Sequence, residues 1–347
     1  MKKALSIILC VLMCTTFIFA QDAEAEADAA ANAQTGEHSF WINFSAAYYP
    51  SFATSSGTEN AAGTSWSNLN GFYRGVEGAL GFWYEYKLNT PGNNALTAGN
   101  NVKFQEGFEI RGPVDIKGTG KIIYTPIAFL NFTGGIEVAT GWDLPGLARG
   151  QGIINRTSTP TFSKADYATL PMFMNFYVKP YIEALFQFDV AAIISDENSA
   201  KDWLHIVLQA SYQVNFSAMT GVADGTPWLW ENGGDKFNGW GYDSYITLGY
   251  MFPDKVPVIS LVGVQLEFDG YYYDVTGGQY TAWNPKFVEF CINPTVVLAF
   301  DKHNNLAIQC RIKNARAFAT ADETFTGTCV GQQFFFDRFA LSYTYTF

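Results

Sequence analysis

From Phe40 to Phe347 apolar side chains recur at every second position, and few architectures accommodate that pattern over so long a stretch. A period of two is the signature of extended strands with two unlike faces. Between Trp203 and Ala218, Leu204, Ile206, Leu208, Tyr212, Val214 and Phe216 share one face, while His205, Gln209, Ser211, Gln213 and Asn215 share the other. Val262, Val264, Leu266 and Phe268 alternate with Gly263, Gln265, Glu267 and Asp269, and Leu306, Ile308, Cys310 and Ile312 alternate with Ala307, Gln309, Arg311 and Lys313. From Asn175 to Ile194 the phase holds for 20 residues. Past residue 20 no apolar run approaches the 18 residues or so of a membrane-spanning helix, so a helical membrane protein is excluded.

Two architectures produce such alternation. A soluble sandwich buries the apolar face, whereas a transmembrane barrel turns it to lipid and lines its lumen with the polar face. Strand length favours the barrel, since sandwich strands usually run about 5–6 residues. Aromatic side chains make up 17% of the chain and crowd expected strand ends, where Trp41, Trp142, Trp203, Trp240 and Trp283 are placed to form interfacial belts. The C-terminus adds a third argument. The chain ends RFALSYTYTF, with Phe339, Leu341, Tyr343, Tyr345 and Phe347 on one face. This segment resembles the terminal strand of bacterial outer-membrane β-barrel proteins, porin-like in kind. The resemblance implies that Tyr343, Tyr345 and the terminal Phe347 form the signal read by the outer-membrane barrel assembly machinery. It covers about ten residues and singles out no particular family.

The beginning of the chain agrees. Residues 1–20 carry Lys2 and Lys3, an apolar stretch from Ala4 to Phe19, and Ala20 before Gln21, the pattern of a cleaved secretory signal peptide. Residues 21–38 hold five acids, no Lys or Arg and no aromatic residue, which predicts a disordered acidic periplasmic extension. Residues 39–347 are then expected to form one closed antiparallel barrel of about twelve strands, with ten and fourteen left open. In that map a tight turn falls at Gly134-Gly135, a strand covers 171–194, and loops cover 112–119, 218–241 and 315–332. Pro126, Pro180 and Pro294 fall inside strands, each removing one ladder donor, and a bulge is expected at each. With both termini in the periplasm, the long connections face outward, as they should.

The polar face defines the lumen. Its acids are Glu77, Glu85, Glu109, Glu137, Glu183, Asp189, Asp243, Glu267, Asp269 and Glu289; its bases are Lys87, Lys103, Arg111, Lys179, Arg311, Lys313 and Arg338. Ten against seven is a mixed, mildly acidic lining. It suits a water-filled channel with weak cation preference, in which Glu183, Asp189, Glu267, Asp269, Glu289, Lys179, Arg311 and Lys313 set selectivity. A closed lumen of paired charges is the competing reading, and a barrel of about twelve strands is wide enough for either. The lipid face carries Arg74, Asp337 and Glu106, the last without a comfortable place.

In loop 218–241, Trp228, Trp230 and Trp240 stand near Asp224, Glu231 and Asp235, a combination suited to stacking on a sugar or nucleoside. A loop folded on its own aromatics explains the same residues. No GxSxG, HExxH or phosphate-binding loop is present, so no catalytic residue is assigned. Among three histidines only His205 lies on the polar face within a strand, where pairing in the lumen explains it. Cys291, Cys310 and Cys329 remain after the signal peptide, with no CxxC and no Cys/His cluster, so no metal site and no cofactor is expected. Without Lys2 and Lys3, 19 basic residues face 32 acidic ones, a balance that disfavours nucleic acid as a partner. The expected partners are outer-membrane lipid and small hydrophilic solutes or ions. The function expected first is a non-enzymatic outer-membrane channel. A surface-exposed structural or adhesin-type barrel with a plugged lumen is the alternative, and a barrel hydrolase stands behind it.

Overall fold

The computed structural model describes residues 36–48, 76–90, 92–94, 96–112, 115–142, 151–154, 161–162, 167–171, 173–193, 203–230, 236–253, 256–278, 284–321 and 324–347. The signal-peptide segment and residues 21–35 of the acidic extension lie outside these residues, as do Arg74 and Trp283. Within Glu37–Phe347 twelve antiparallel strands close into a barrel. They are β1 (Glu37–Tyr48), β2 (Val76–Asn89), β3 (Asn101–Arg111), β4 (Asp115–Ile127), β5 (Leu130–Gly141), β6 (Tyr177–Asp189), β7 (Ile206–Met219), β8 (Gly239–Met251), β9 (Ile259–Tyr271), β10 (Glu289–Ala299), β11 (Asn304–Ala321) and β12 (Thr324–Thr346). Each pairs with its sequence neighbour, and β1 closes the ring on β12 through Trp41↔Thr346 to Tyr48↔Phe339. β1 opens at Glu37, two residues before the expected start of the barrel.

The two faces separate by chemistry. Leu80, Ile122, Ile136, Ile182, Leu248, Val262, Ile308 and Leu341 project outward and exposed. Near the end that carries the termini, Phe40, Tyr84, Tyr250, Phe252, Tyr345 and Phe347 form an aromatic belt. Near the distal end Phe216, Trp240, Tyr242 and Tyr272 form a second. Such a wall is stable only where lipid covers it, since in water it would expose apolar area on every side. The inward face is polar. Trp203 and Trp240 are outward as expected, but Trp41 points into the lumen, because Phe40, Phe44 and Tyr48 take the outward positions of β1.

Several sequence expectations change. Gly134 and Gly135 make no turn; they lie inside β5, and the chain reverses at Ala128-Phe129, next to a register shift between Tyr124 and Ile127. The ring of Tyr181 takes the space above Gly135, where a Cβ would approach its hydroxyl to 2.6 Å. Of the three prolines only Pro126 sits at that shift. Pro180 and Pro294 keep their register and instead interrupt the ladder on one side, leaving Lys179-Pro180 unpaired with β7 and Asn293-Pro294 unpaired with β11. The strand expected over 171–194 covers Tyr177–Asp189, because Asp189 accepts the N–H of Ala191 (3.0 Å) and starts the short 3-10 turn Val190–Ile193. Of the loop expected at 112–119, residues 115–119 belong to β4, and of the one expected at 315–332, residues 315–321 belong to β11 and 324–332 to β12. Asp337 is not on the lipid face. Arg311 pairs with Arg338 and Ile312 with Phe336, so Asp337 is the extra residue of a bulge, and both Asp337 and Arg338 reach the lumen. Glu106 does face outward, in unbroken register with Tyr84 and Gly120, so no slip explains it.

At the distal end Gln151–Ile154, Tyr167–Thr169 and Trp228–Trp230 form a separate three-stranded sheet. From this sheet Trp228 packs with Leu170 onto Ala139, Tyr177 and Met219, inward residues at the distal ends of β5, β6 and β7. Trp228, and Phe237 bonded to Tyr271, therefore bring the described parts of this loop into the barrel mouth.

Candidate functional site

Strand alternation delivers the polar side chains of β1–β3 and β6–β12 to a cavity of about 630 Å³ inside the barrel. Its acidic wall is built by register. Asp243 on β8 stands opposite Asp269 on β9, and Asp269 opposite Glu289 on β10, which sets three carboxylates side by side across three strands. Directly opposed side chains in an antiparallel pair have Cβ atoms about 4.5–5.5 Å apart, so the three negative fields overlap. Lys179 binds Asp243 at 2.5 Å, and Asn215 donates to the same oxygen at 3.0 Å. Asp269 makes no hydrogen bond among the described residues; the charges around it are Glu289 and Asp243 on one account, Lys236 and Arg311 on the other. Lys236 comes from the described stretch 236–238 between Trp228–Trp230 and β8, where the Phe237 N–H donates to Tyr271 Oη at 3.0 Å.

The remaining charges are held in pairs. Arg311 donates to Glu267 (2.8 Å) and to Cys291 Sγ (3.0 Å), and Lys313 lies 3.6 Å from Asp337. On the opposite wall Arg111 bridges Glu77 (3.2 Å) and Glu109 (2.8 Å), and Lys117 is 3.5 Å from Glu109. The lumen thus concentrates its charges in a belt toward the distal half.

Of the lumenal residues expected to set selectivity, Lys179, Glu267, Asp269, Glu289, Arg311 and Lys313 line this one cavity. Glu183 lies nearer the terminal end, where it accepts from Ser211 and faces Lys121. Asp189 is at the terminal end, 2.7 Å from His205 Nδ1. Sequence reasoning missed Asp115, Lys117, Lys121 and Asp337 as inward groups. With Glu37, which binds Lys87, and Lys236 from the loop, the additions are three acids and three bases, so among the described residues the excess of three carboxylates is unchanged. Asp115 and Lys117 were assigned to a loop, and Asp337 was hidden by the bulge.

Trp228 and Trp240 do not share a platform. Trp228 is fully buried, its ring centroid 5.8 Å from that of Tyr177 and its Nε1 donating to Asn238 Oδ1 at 3.0 Å. Trp240 points outward against Phe216, and the side chain of Trp230 lies outside the described residues. The reason is the in-fold itself, which turns Trp228 from solvent onto the barrel's own inner rim. At the C-terminus Tyr343, Tyr345 and Phe347 occupy the outward face of β12, and Phe347 N–H donates to Phe40 O at 3.0 Å, tying the last residue to the first strand. Cys291 is inward and buried while Cys310 belongs to the outward set, so the two sit on opposite faces; both are free. The side chain of Cys329 lies outside the described residues.

A closed ring of strands, an apolar wall between two aromatic belts and a charged interior satisfy the lipid solvent at every layer. The fold is that of an outer-membrane β-barrel. No protein family and no curated protein sequence matches the chain. Similar solved structures include the NanC porin, at 8% identity over 88% of this chain and 98% of that one, with a TM-score of 0.35. An outer membrane channel (COG4313) from Pseudomonas putida F1 matches at 11% identity over 92% and 98% of the two chains, TM-score 0.40. LpxR from Salmonella typhimurium matches at 9% identity over 88% and 99%, TM-score 0.36. At such values none of them transfers a role to this chain.

Proposed function

We propose that this protein is a porin-like channel of the outer membrane, passing small hydrophilic solutes by diffusion with a weak preference for cations. The observation that carries the reading is the row Asp243, Asp269 and Glu289 on the wall of a polar cavity, with Lys179, Lys236 and Arg311 beside it. The charges of the cavity itself balance, but over the whole described lumen carboxylates exceed bases, and such an excess raises the local concentration of cations and lowers that of anions. No bond is made or broken in this mechanism. Residues 1–20 are, in the same reading, removed on export, and β12 with Phe347 is the segment handled during barrel assembly.

The test is the reversal potential of the refolded protein in a planar bilayer under a KCl gradient. The wild type is expected to reverse on the cation-selective side. Asp269→Asn combined with Glu289→Gln is expected to move it toward zero at unchanged barrel stability. An anion-selective wild type, or an unmoved potential in the variant, overturns the assignment.

One observation favours a second reading. Trp228 and Phe237 are buried in the mouth of the barrel and narrow it, and a fully closed mouth would make the chain a surface barrel with a plugged lumen. The His205–Asp189 pair is the nearest thing to catalytic apparatus. We read it as structural, and a hydrolytic activity abolished by His205→Ala would refute that.

A further inference from the structure

Toward the end that carries the termini the lumen wall changes character. Gln265 donates to Thr247 (3.3 Å), and Asn43 donates to Ser342 (2.8 Å) and Thr344 (3.1 Å). The carboxylate of Glu85 is neutralised by Lys103 at 3.2 Å. Amides, hydroxyls and paired charges dominate here, and into this stretch project two indoles. Trp41 and Trp83 stand directly opposite one another on β1 and β2. Their rings are parallel to within 3° with centroids 6.0 Å apart. Phe40, Phe44 and Phe82 hold the outward positions beside them, so alternation turns both indoles inward. Each keeps part of its surface accessible.

The wall is shaped around them. A Cβ on Gly107 would stand 2.4 Å from the Trp83 ring carbons, and one on Gly81 would stand 2.9 Å from Trp83 Nε1. Two glycines on adjacent strands thus vacate the space that the indole occupies, and β-strand glycine at such a site marks a close approach rather than a weak strand.

We propose that Trp41 and Trp83 form a stacking platform that binds neutral pyranose saccharides inside the lumen. The face of a pyranose ring is a sheet of C–H groups that lies well on an indole, while its rim of hydroxyls matches amide and hydroxyl partners such as Asn43 and Thr344. A hydrated ion gains little from an indole face beside what a pyranose gains by laying its C–H groups on it. The charged belt in the distal half acts on ions, and the platform near the terminal end acts on uncharged rings. The proposal rests on the channel reading for the solute's access to the lumen, but the platform can be tested without it.

The experiment compares block of KCl current by maltose, by the acyclic polyol mannitol and by adenosine, for the wild type, Trp41→Ala, Trp41→Phe and Gly107→Ala. Maltose is expected to block the wild type at a concentration at least about tenfold below mannitol, equivalent to about 1.4 kcal/mol. Trp41→Ala and Gly107→Ala are expected to lose that preference while their sugar-free conductance persists, and Trp41→Phe to keep part of it. Equal block by maltose and mannitol, or a preference indifferent to Trp41, overturns the proposal and leaves the channel reading standing. Stronger block by adenosine than by maltose overturns the saccharide assignment. If the folded barrel passes no current, the channel reading fails instead. The platform is then read by tryptophan fluorescence in detergent, where a saturable maltose response lost in Trp41→Ala supports it and no response overturns it.

Discussion

Trp228 shows how one side chain can decide what a loop does. Its indole is fully buried, hydrogen-bonded through Nε1 to Asn238, and packed against Tyr177 and Met219 at the inner rim. Truncation of a large buried aromatic costs about 3–5 kcal/mol. Trp228→Ala is therefore expected to release segment 220–238, seen as hydrogen exchange and protease cleavage there, while the heat-modifiable gel mobility of the barrel is retained. Loss of the barrel itself would show that the in-fold is part of the global fold. The presence of Trp228 in a Trp-rich loop was legible in the sequence, but its burial was not, because contacts with Tyr177 and Met219 follow no local period. Trp41 failed for a different reason. Phe40, Trp41 and Ile42 form a continuous apolar run whose phase is ambiguous, and only the parity shared with Ser39, Asn43 and Ser45 points it inward.

At the scale of single elements, the twelve strands were legible because each turns an apolar face to lipid, and this writes a period of two into the chain. The turns were less so. Gly134-Gly135 reads as a turn by composition, yet it serves as clearance for Tyr181 inside β5. The bulge at Asp337 cannot be seen locally, since an extra residue is defined only against its partner strand. Two predictions belong here. Ile122 is exposed on the outer face of β4, and Ile122→Arg is expected to cost about 2–4 kcal/mol of stability in lipid, whereas lumenal Gln265→Arg is expected to cost much less. Urea titration of both variants in vesicles measures the difference, and equal costs would mean that the outward face is not against lipid. The turn between β10 and β11 is tied by Asp301, whose Oδ1 accepts the N–H groups of His303 (2.7 Å) and Asn304 (2.9 Å). The His303 N–H, then the Asn304 side chain, hold the Asp301 carboxyl below its ordinary value. A depressed value in the folded state means that this contribution is complete above about pH 4, the ordinary aspartate value, and fades as pH falls through the folded one. Protection of the His303 and Asn304 amides should fall in that window and become independent of pH in Asp301→Ala.

For the whole molecule, closure of β1 on β12 is the feature on which everything else depends. It removes the last free edge, divides lipid-facing from water-facing side chains, and lets residues from distant parts of the chain share one cavity. Glu77 and Arg111 on β2 and β3 share a cavity with Arg311 and Arg338 on β11 and β12 because the ring closes. The polar face was legible as a lumen, including ten of the twelve charged residues that line the cavity, but the row formed by Asp243, Asp269 and Glu289 depends on inter-strand register, which no single strand encodes. Closure also places Phe347 against Phe40, and removal of Phe347 is expected to lower the yield of folded barrel more than the stability of molecules once folded. The central claim is that a water-filled path runs through this barrel past its carboxylate row. Single-channel recording of the refolded mature protein in KCl tests it most directly. Discrete, stable conductance steps are the expected result; an electrically silent bilayer, with protein shown to be folded by its heat-modifiable mobility, would contradict it.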